Sequence, residues 1–240
     1  MKVLNSDQSE LDKFEEAAAG WWDLEGDFAA LHRLNPLRSD FIECHSQGLH
    51  GKSLIDIGCG GGILCEEMAR RGANVTGIDL GENPLAIATQ HAAQENLDIN
   101  YKKTSAEELA AEVAPDKRFD IVTCLEMLEH VPDPASVVKS AAELCKPGGH
   151  LFFATINRTS KAYALMVLGA EYVLRLVPRG THDYEKFITP AELALWLRHS
   201  ALDLENSTGV AYNPFSKRFR LEPHDLAVNY MLHAYKPISE

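Results

Sequence analysis

Four glycines crowd into five positions behind the carboxylate of Asp56, in the run Asp56-Ile57-Gly58-Cys59-Gly60-Gly61-Gly62. Glycines spaced this closely mark backbone that turns sharply and lets a ligand approach where a Cβ would stand in the way. A helical pattern opens near Ile63, so free N–H groups at a helix N-terminus would face the same ligand. Asp79 closes the next apolar run, beside the bend, where its carboxylate can accept hydrogen bonds from ribose hydroxyls. Loop and acid together predict a nucleoside cofactor.

The glycine spacing discriminates between two such cofactors. Read from Gly58, the G-x-G-x-x-G pattern of dinucleotide sites puts Ile63 where its third glycine belongs, whereas D-x-G-x-G-x-G fits Asp56, Gly58, Gly60 and Gly62 without a miss. The second pattern resembles the first motif of class I methyltransferases, in which the loop faces the amino-acid part of S-adenosylmethionine. A hydride-transferring dehydrogenase is the runner-up, and a non-catalytic protein that keeps the cofactor as a ligand is a third reading.

A second group with chemical capacity follows the fourth apolar run, in Leu125-Glu126-Met127-Leu128-Glu129-His130-Val131-Pro132-Asp133-Pro134. Glu126, Glu129 and His130 are spaced i, i+3 and i+4, which puts all three on one face of a helical turn. A phenol with a pKa near ~10 needs a base or a Lewis acid to become a good nucleophile at neutral pH. His130, with Glu129 beside it, is the candidate catalytic base. The same three side chains could instead hold Mg²⁺, although imidazole suits so hard an ion poorly. A solvated acidic turn, or a histidine that only orders this turn, is the plainer alternative.

These residues need a frame. Short apolar runs at Leu54–Ile57, Val75–Ile78, Ile99–Tyr101, Ile121–Cys124 and Leu151–Ala154 alternate with helical stretches, the signature of a parallel sheet covered by helices. Leu11 to Gln47 reads as a helical lid with a turn at Asn35-Pro36, and two late runs, near 202–207 and 230–235, would pair antiparallel at the sheet edge. The expected architecture is thus an α/β Rossmann-like fold with a mostly parallel seven-stranded sheet. It forms a single domain: a lid over residues 1–50, a cofactor-binding core over 51–157, and substrate-side helices and edge strands over 158–240.

Composition narrows the field of partners. The 240 residues are 45% hydrophobic and 24% charged, with 23 Lys and Arg against 35 Asp and Glu, a net charge of −12 that disfavours nucleic acid. Five cysteines without a C-x-x-C pair fit a reducing cytoplasm better than a disulfide framework or a zinc site. The polar N-terminus shows no secretory signal, and no run approaches the ~18 apolar residues of a transmembrane helix. Ala162 to Val177 is apolar apart from Glu171 and Arg175, so with Arg158, Lys161 and Arg179 it could lie on anionic lipid at the inner face of the membrane. A helix buried over the site would have the same composition.

From about Phe14 to Tyr235 the chain resembles the ubiquinone-biosynthesis O-methyltransferase family. The likeness is carried by Trp21-Trp22-Asp23, Leu31-His32-Arg33-Leu34-Asn35-Pro36-Leu37-Arg38, the Asp56–Gly62 loop, Glu126–Pro134, Gly169-Ala170-Glu171-Tyr172, Gly180-Thr181-His182-Asp183 and Asn229-Tyr230-Met231. The resemblance implies methylation of phenolic hydroxyls on polyprenylated rings, an early polyprenyl catechol and a late demethylubiquinol. It also implies cofactor contacts at Arg38, Gly58, Asp79 and Leu125, with Ala106 and Glu107 near adenine, and Mg²⁺ ligands at Glu126, Glu129 and His130. His182 is a second possible base. Methylation of a ring carbon is opposed only by the family-specific segments.

Overall fold

Apolar runs that must be buried on both faces can be satisfied by one sheet held between two layers of helices. The computed structural model of the protein has this arrangement; it describes residues 5–165, 183–213, 216 and 218–238. The runs form β1 (Ser53–Ile57), β2 (Asn74–Asp79), β3 (Ile99–Lys103), β4 (Phe119–Leu125) and β5 (Cys145–Ile156), all paired in parallel. Three later strands, β6 (Asp203–Asn213), β7 (Arg218–Glu222) and β8 (Asn229–Tyr235), continue the sheet antiparallel in the order β3-β2-β1-β4-β5-β8-β6-β7.

The sheet therefore has eight strands rather than the expected seven. Arg218–Glu222 mixes charged and apolar side chains, as an edge strand covered on one face does, and so carries no apolar run to announce it. Its partner is the second half of β6, with Gly209–Asn213 running antiparallel to Arg218–Glu222, so β7 stands between β6 and β8 in the chain but outside them in the sheet.

Alternation along each strand divides the core in two. Ile55, Ile57, Val122, Cys124, Leu151 and Phe153 face α6 (Pro134–Leu144) and α8 (Pro190–His199), where Val138, Ala141, Leu193 and Leu197 meet them. Leu54, Ile121, Phe152 and Ala154 face the other way, against Leu34, Phe41, Ile42, Leu64 and Met68 of α2 (Ala29–His45) and α3 (Ile63–Arg70). Asp56 and Thr123 fall in this second row, a polar pair among apolar neighbours, and bond each other at 2.6 Å.

The turn expected at Asn35-Pro36 is the interior of α2, which continues through Pro36. An internal proline costs about 3 kcal/mol of helix stability. Burial of Leu34, Phe41 and Ile42 offsets that cost, and the Asn35 side-chain amide donates to the Ile63 carbonyl at 3.0 Å, tying α2 to the end of the glycine loop.

On the α2 face, three histidines from distant segments meet. His150 Nδ1 and His233 Nε2 are 3.0 Å apart, the His45 ring lies 5.4 Å from that of His233, and Phe152 stacks on His233 at 4.8 Å. Only one proton fits between His150 and His233. Burial, reinforced by the charges of His150 and His45, pushes the His233 pKa down to about 4. A histidine depressed in the folded state stabilises it above the unfolded pKa near ~6.5 and loses that contribution as pH falls towards the folded value. The stability of His233→Phe in urea unfolding should therefore fall less than that of the native protein between those pH values; parallel curves would show that the ring titrates normally.

Candidate active site

The strand order reverses between β1 and β4, and in open α/β sheets the crevice at that point, beyond the carboxyl ends of the strands, is where ligands bind. A cavity there is lined by Arg38, Asp56, Gly58, Gly60, Asp79, Ala106, Glu107, Leu125, Glu126 and His130. Residues spread over almost a hundred positions of sequence are thus brought together, and of the expected catalytic, cofactor and metal residues among the described residues only Glu129 stays out of the lining.

The loop after β1 needs glycine because its backbone is left-handed: φ is +72° at Gly58, +51° at Gly60 and +86° at Gly62. A Cβ on Gly60 would overlap the Trp21 ring, and one on Gly58 would overlap Met127. The Trp22 indole N–H donates to the Gly61 carbonyl at 3.0 Å, so the aromatic pair grips the loop from the lid side.

Asp79 holds the loop from below. Its Oδ2 accepts the Gly60 N–H at 2.9 Å and its Oδ1 accepts the Gly81 N–H at 2.8 Å. A carboxylate has about four acceptor positions, so these amides leave acceptor capacity for a hydroxyl arriving in the cavity. Burial raises the Asp79 pKa, against the pull of the Gly81 and Gly60 amides. Asp56 is differently placed: its carboxylate turns under the loop, accepting from Thr123 Oγ1 at 2.6 Å and from the Cys65 thiol at 3.5 Å. Burial pushes its pKa up to about 6.

Ala106 begins α5 (Ala106–Glu112), which Ser105 and Glu108 cap reciprocally, and presents a small side chain to the cavity. Glu107 accepts from Ser136 Oγ at 3.0 Å and from the Asn5 amide at 2.9 Å. Leu125 ends β4 and packs at the cavity wall.

The shared helical face of Glu126, Glu129 and His130 does not form. Glu126 is itself left-handed, with φ +54°, and only Leu128–His130 make a single 3-10 turn, so i, i+3 and i+4 do not superpose. Glu126 pairs with Arg38, Glu129 accepts from Thr155 Oγ1 at 2.8 Å, and His130 Nδ1 faces Glu10 Oε2 at 3.0 Å. Three side chains aimed at three different partners do not fit the expected Mg²⁺, and among the described residues no three His, Cys, Asp or Glu side chains are grouped to hold a metal ion. Glu129 is also corrected as a catalytic group, being buried behind the cavity with its pKa raised by burial and then by the Glu126 charge.

Arg38 is 6% exposed, yet its Nε has no hydrogen-bond partner among the described residues. An unsatisfied buried donor costs about 1–3 kcal/mol, which a ligand carboxylate at the cavity wall would recover. Sequence reading missed the residues that α1 (Gln8–Ala17) contributes: Glu10 and Phe14 line the cavity, and Glu15 accepts the N–H of Asn83 at 3.0 Å where α4 (Glu82–Gln94) has no side-chain cap of its own. An i, i+4 pair on an acidic amphipathic helix marks a face but not what covers it.

The expected lipid-facing cations are only partly within the described residues. Arg158 pairs with Glu192 and Lys161 with Asp225, whereas Arg175, Arg179, His182 and all but the start of Ala162–Val177 lie outside them. Among the described residues no helix is long and apolar enough to cross a membrane.

A parallel α/β sheet with a left-handed glycine loop and a strand-end aspartate at its switch point defines a class I S-adenosylmethionine-dependent methyltransferase. A family model described as a methyltransferase domain matches residues 30–206. The fold is shared with magnesium protoporphyrin IX methyltransferase from Synechocystis, solved with bound S-adenosylmethionine, at a TM-score of 0.66 and 17% identity over 98% of both chains. The same enzyme with S-adenosylhomocysteine gives 0.70 and 18% identity, covering 95% of this chain and 99% of that one. Two curated relatives are far closer in sequence, and both are called ubiquinone biosynthesis O-methyltransferase. That of Saccharophagus degradans is 54% identical over 97% of this chain and 98% of its own, and that of Acinetobacter baumannii 55% over 98% and 99%. The chain belongs to the ubiquinone biosynthesis O-methyltransferase family.

Proposed function

We propose that this protein transfers the methyl group of S-adenosylmethionine to phenolic hydroxyls of polyprenylated intermediates in ubiquinone biosynthesis, both 2-polyprenyl-6-hydroxyphenol and 3-demethylubiquinol. The observation that carries the reading is the glycine bend anchored by Asp79 in the same cavity as His130. When bound, the cofactor supplies a methyl group on a sulfonium, an electrophile that needs no further activation. Asp79 would accept from its ribose hydroxyls, Gly58 and Gly60 would admit it without a Cβ in the way, and Ala106 and Glu107 would border the adenine. Arg38 would hold its carboxylate, exchanging Glu126 for it.

The chain's own work is then alignment and proton transfer. Positioning a phenol in line with a methyl group supplies much of the acceleration open to an enzyme. His130 would take the phenol proton. Burial lowers the His130 pKa, but the Glu10 hydrogen bond and the charges of Glu129, Glu10 and Glu126 together raise it above its ordinary value, moving it towards that of a phenol and making the transfer less uphill.

Incubation with labelled S-adenosylmethionine and demethylubiquinol in detergent should place one labelled methyl on the ring oxygen, located by mass spectrometry. Label on a ring carbon, or none, refutes the proposal. Peripheral attachment to anionic membrane stays part of it through the apolar Ala162–Val177 sequence, and co-sedimentation with anionic vesicles in the same preparation reads it directly.

A further inference from the structure

We propose that Glu10, at the far end of the chain from His130, is a positioning residue that fixes the His130 imidazole through Nδ1 and leaves Nε2 to receive the acceptor's proton. This rests on the reading of His130 as the base. Glu10 is 6% exposed, and its two oxygens have separate duties. Oε2 lies 3.0 Å from His130 Nδ1, while Oε1 takes Lys186 Nζ at 3.1 Å and Lys13 Nζ at 3.2 Å. One turn further along α1, the Phe14 ring meets the imidazole edge-on, with centroids 5.1 Å apart and planes at 88°. A carboxylate at one nitrogen and an aromatic wall against the ring restrict both its rotation and its flip.

The nearer candidate for this duty in sequence, Glu129, is turned to Thr155 on the other side of the strand end. Imidazole that donates its Nδ1 hydrogen to a carboxylate presents the Nε2 lone pair as its acceptor. In the reaction the phenol oxygen bonds to the methyl carbon as the carbon–sulfur bond breaks. The electron pair of that bond goes to sulfur, which becomes a neutral thioether, and the phenol proton passes to Nε2. The positive charge lost by sulfur is regained by the imidazole, 3.0 Å from the Glu10 carboxylate. Because Glu10 arrives with α1, the working imidazole is assembled only when that helix is docked.

The alternative is that Glu10 merely anchors α1 through Lys186, and paired variants of the full-length protein separate the two. Glu10→Gln should lower kcat roughly 10- to 100-fold, part of what a general base contributes, with the KM for S-adenosylmethionine changed less than about two-fold. Glu10→Asp should recover part of the loss, and Lys186→Met, which removes the ties to Glu10 and Asp7 but leaves the His130 contact, should lose far less. With a nitro-substituted catechol, already ionised at assay pH, the Glu10→Gln defect should shrink to a few-fold. A loss no greater than that of Lys186→Met, or an equal defect on acidic and ordinary phenols, overturns the proposal. Should Glu10→Gln fail to fold, the phenol comparison is made on Glu10→Asp. Full activity in His130→Ala would instead overturn the reading of His130 itself.

Discussion

His130→Ala is expected to lower kcat by about 10²- to 10⁴-fold on a phenol that is protonated at assay pH, the range a positioned general base contributes. S-adenosylhomocysteine affinity, measured by calorimetry, should stay within about two-fold. The split follows from the geometry. The proposed cofactor contacts cluster around Gly58, Gly60 and Asp79 at the ends of β1 and β2, whereas His130 follows the end of β4 and faces Glu10 of α1. Truncating the ring would remove the proposed proton acceptor without touching the loop. A kcat within three-fold of native would mean that the phenolate forms without this imidazole, and base duty would have to be sought elsewhere in the cavity.

Asp79→Ala is the counterpart on the cofactor side. S-adenosylhomocysteine affinity is expected to fall about 10- to 150-fold, the equivalent of one hydrogen bond to a charged acceptor at 1.5–3 kcal/mol. The loss has two sources. The ribose hydroxyls lose their acceptor, and the N–H groups of Gly60 and Gly81 lose the carboxylate that joins the loop to the start of α4. Asp79→Asn should fall between the native protein and Asp79→Ala, because one amide oxygen can still accept while the amide nitrogen cannot. If both variants bound S-adenosylhomocysteine as the native protein does, the aspartate would serve the loop alone, and the nucleoside would have to be held by other groups.

Much of the fold was legible in the chain because its causes are local. Apolar runs of three or four residues separated by helical periods dictate buried parallel strands, and β1 to β5 stand where those runs stand. The glycine bend was legible for the same reason: left-handed backbone at Gly58, Gly60 and Gly62 is a property of single residues, visible wherever glycines gather. Asp79 followed from strand length alone.

Other features have no local cause. Pro36 predicts a helix break, and what overrides it is the burial of Leu34, Phe41 and Ile42 against strands that come later in the chain. The i, i+3, i+4 spacing of Glu126, Glu129 and His130 predicts one face, but Glu126 adopts a left-handed backbone and pairs with Arg38 across 88 positions of sequence. Glu10 and His130 are 120 positions apart, a separation at which no periodicity survives. The chain by itself determined which backbone could cradle a nucleoside and that a histidine would stand near it. Which carboxylate steadies that histidine was decided by how α1 docks, because the energy of a buried ion pair depends on what the whole fold excludes from water.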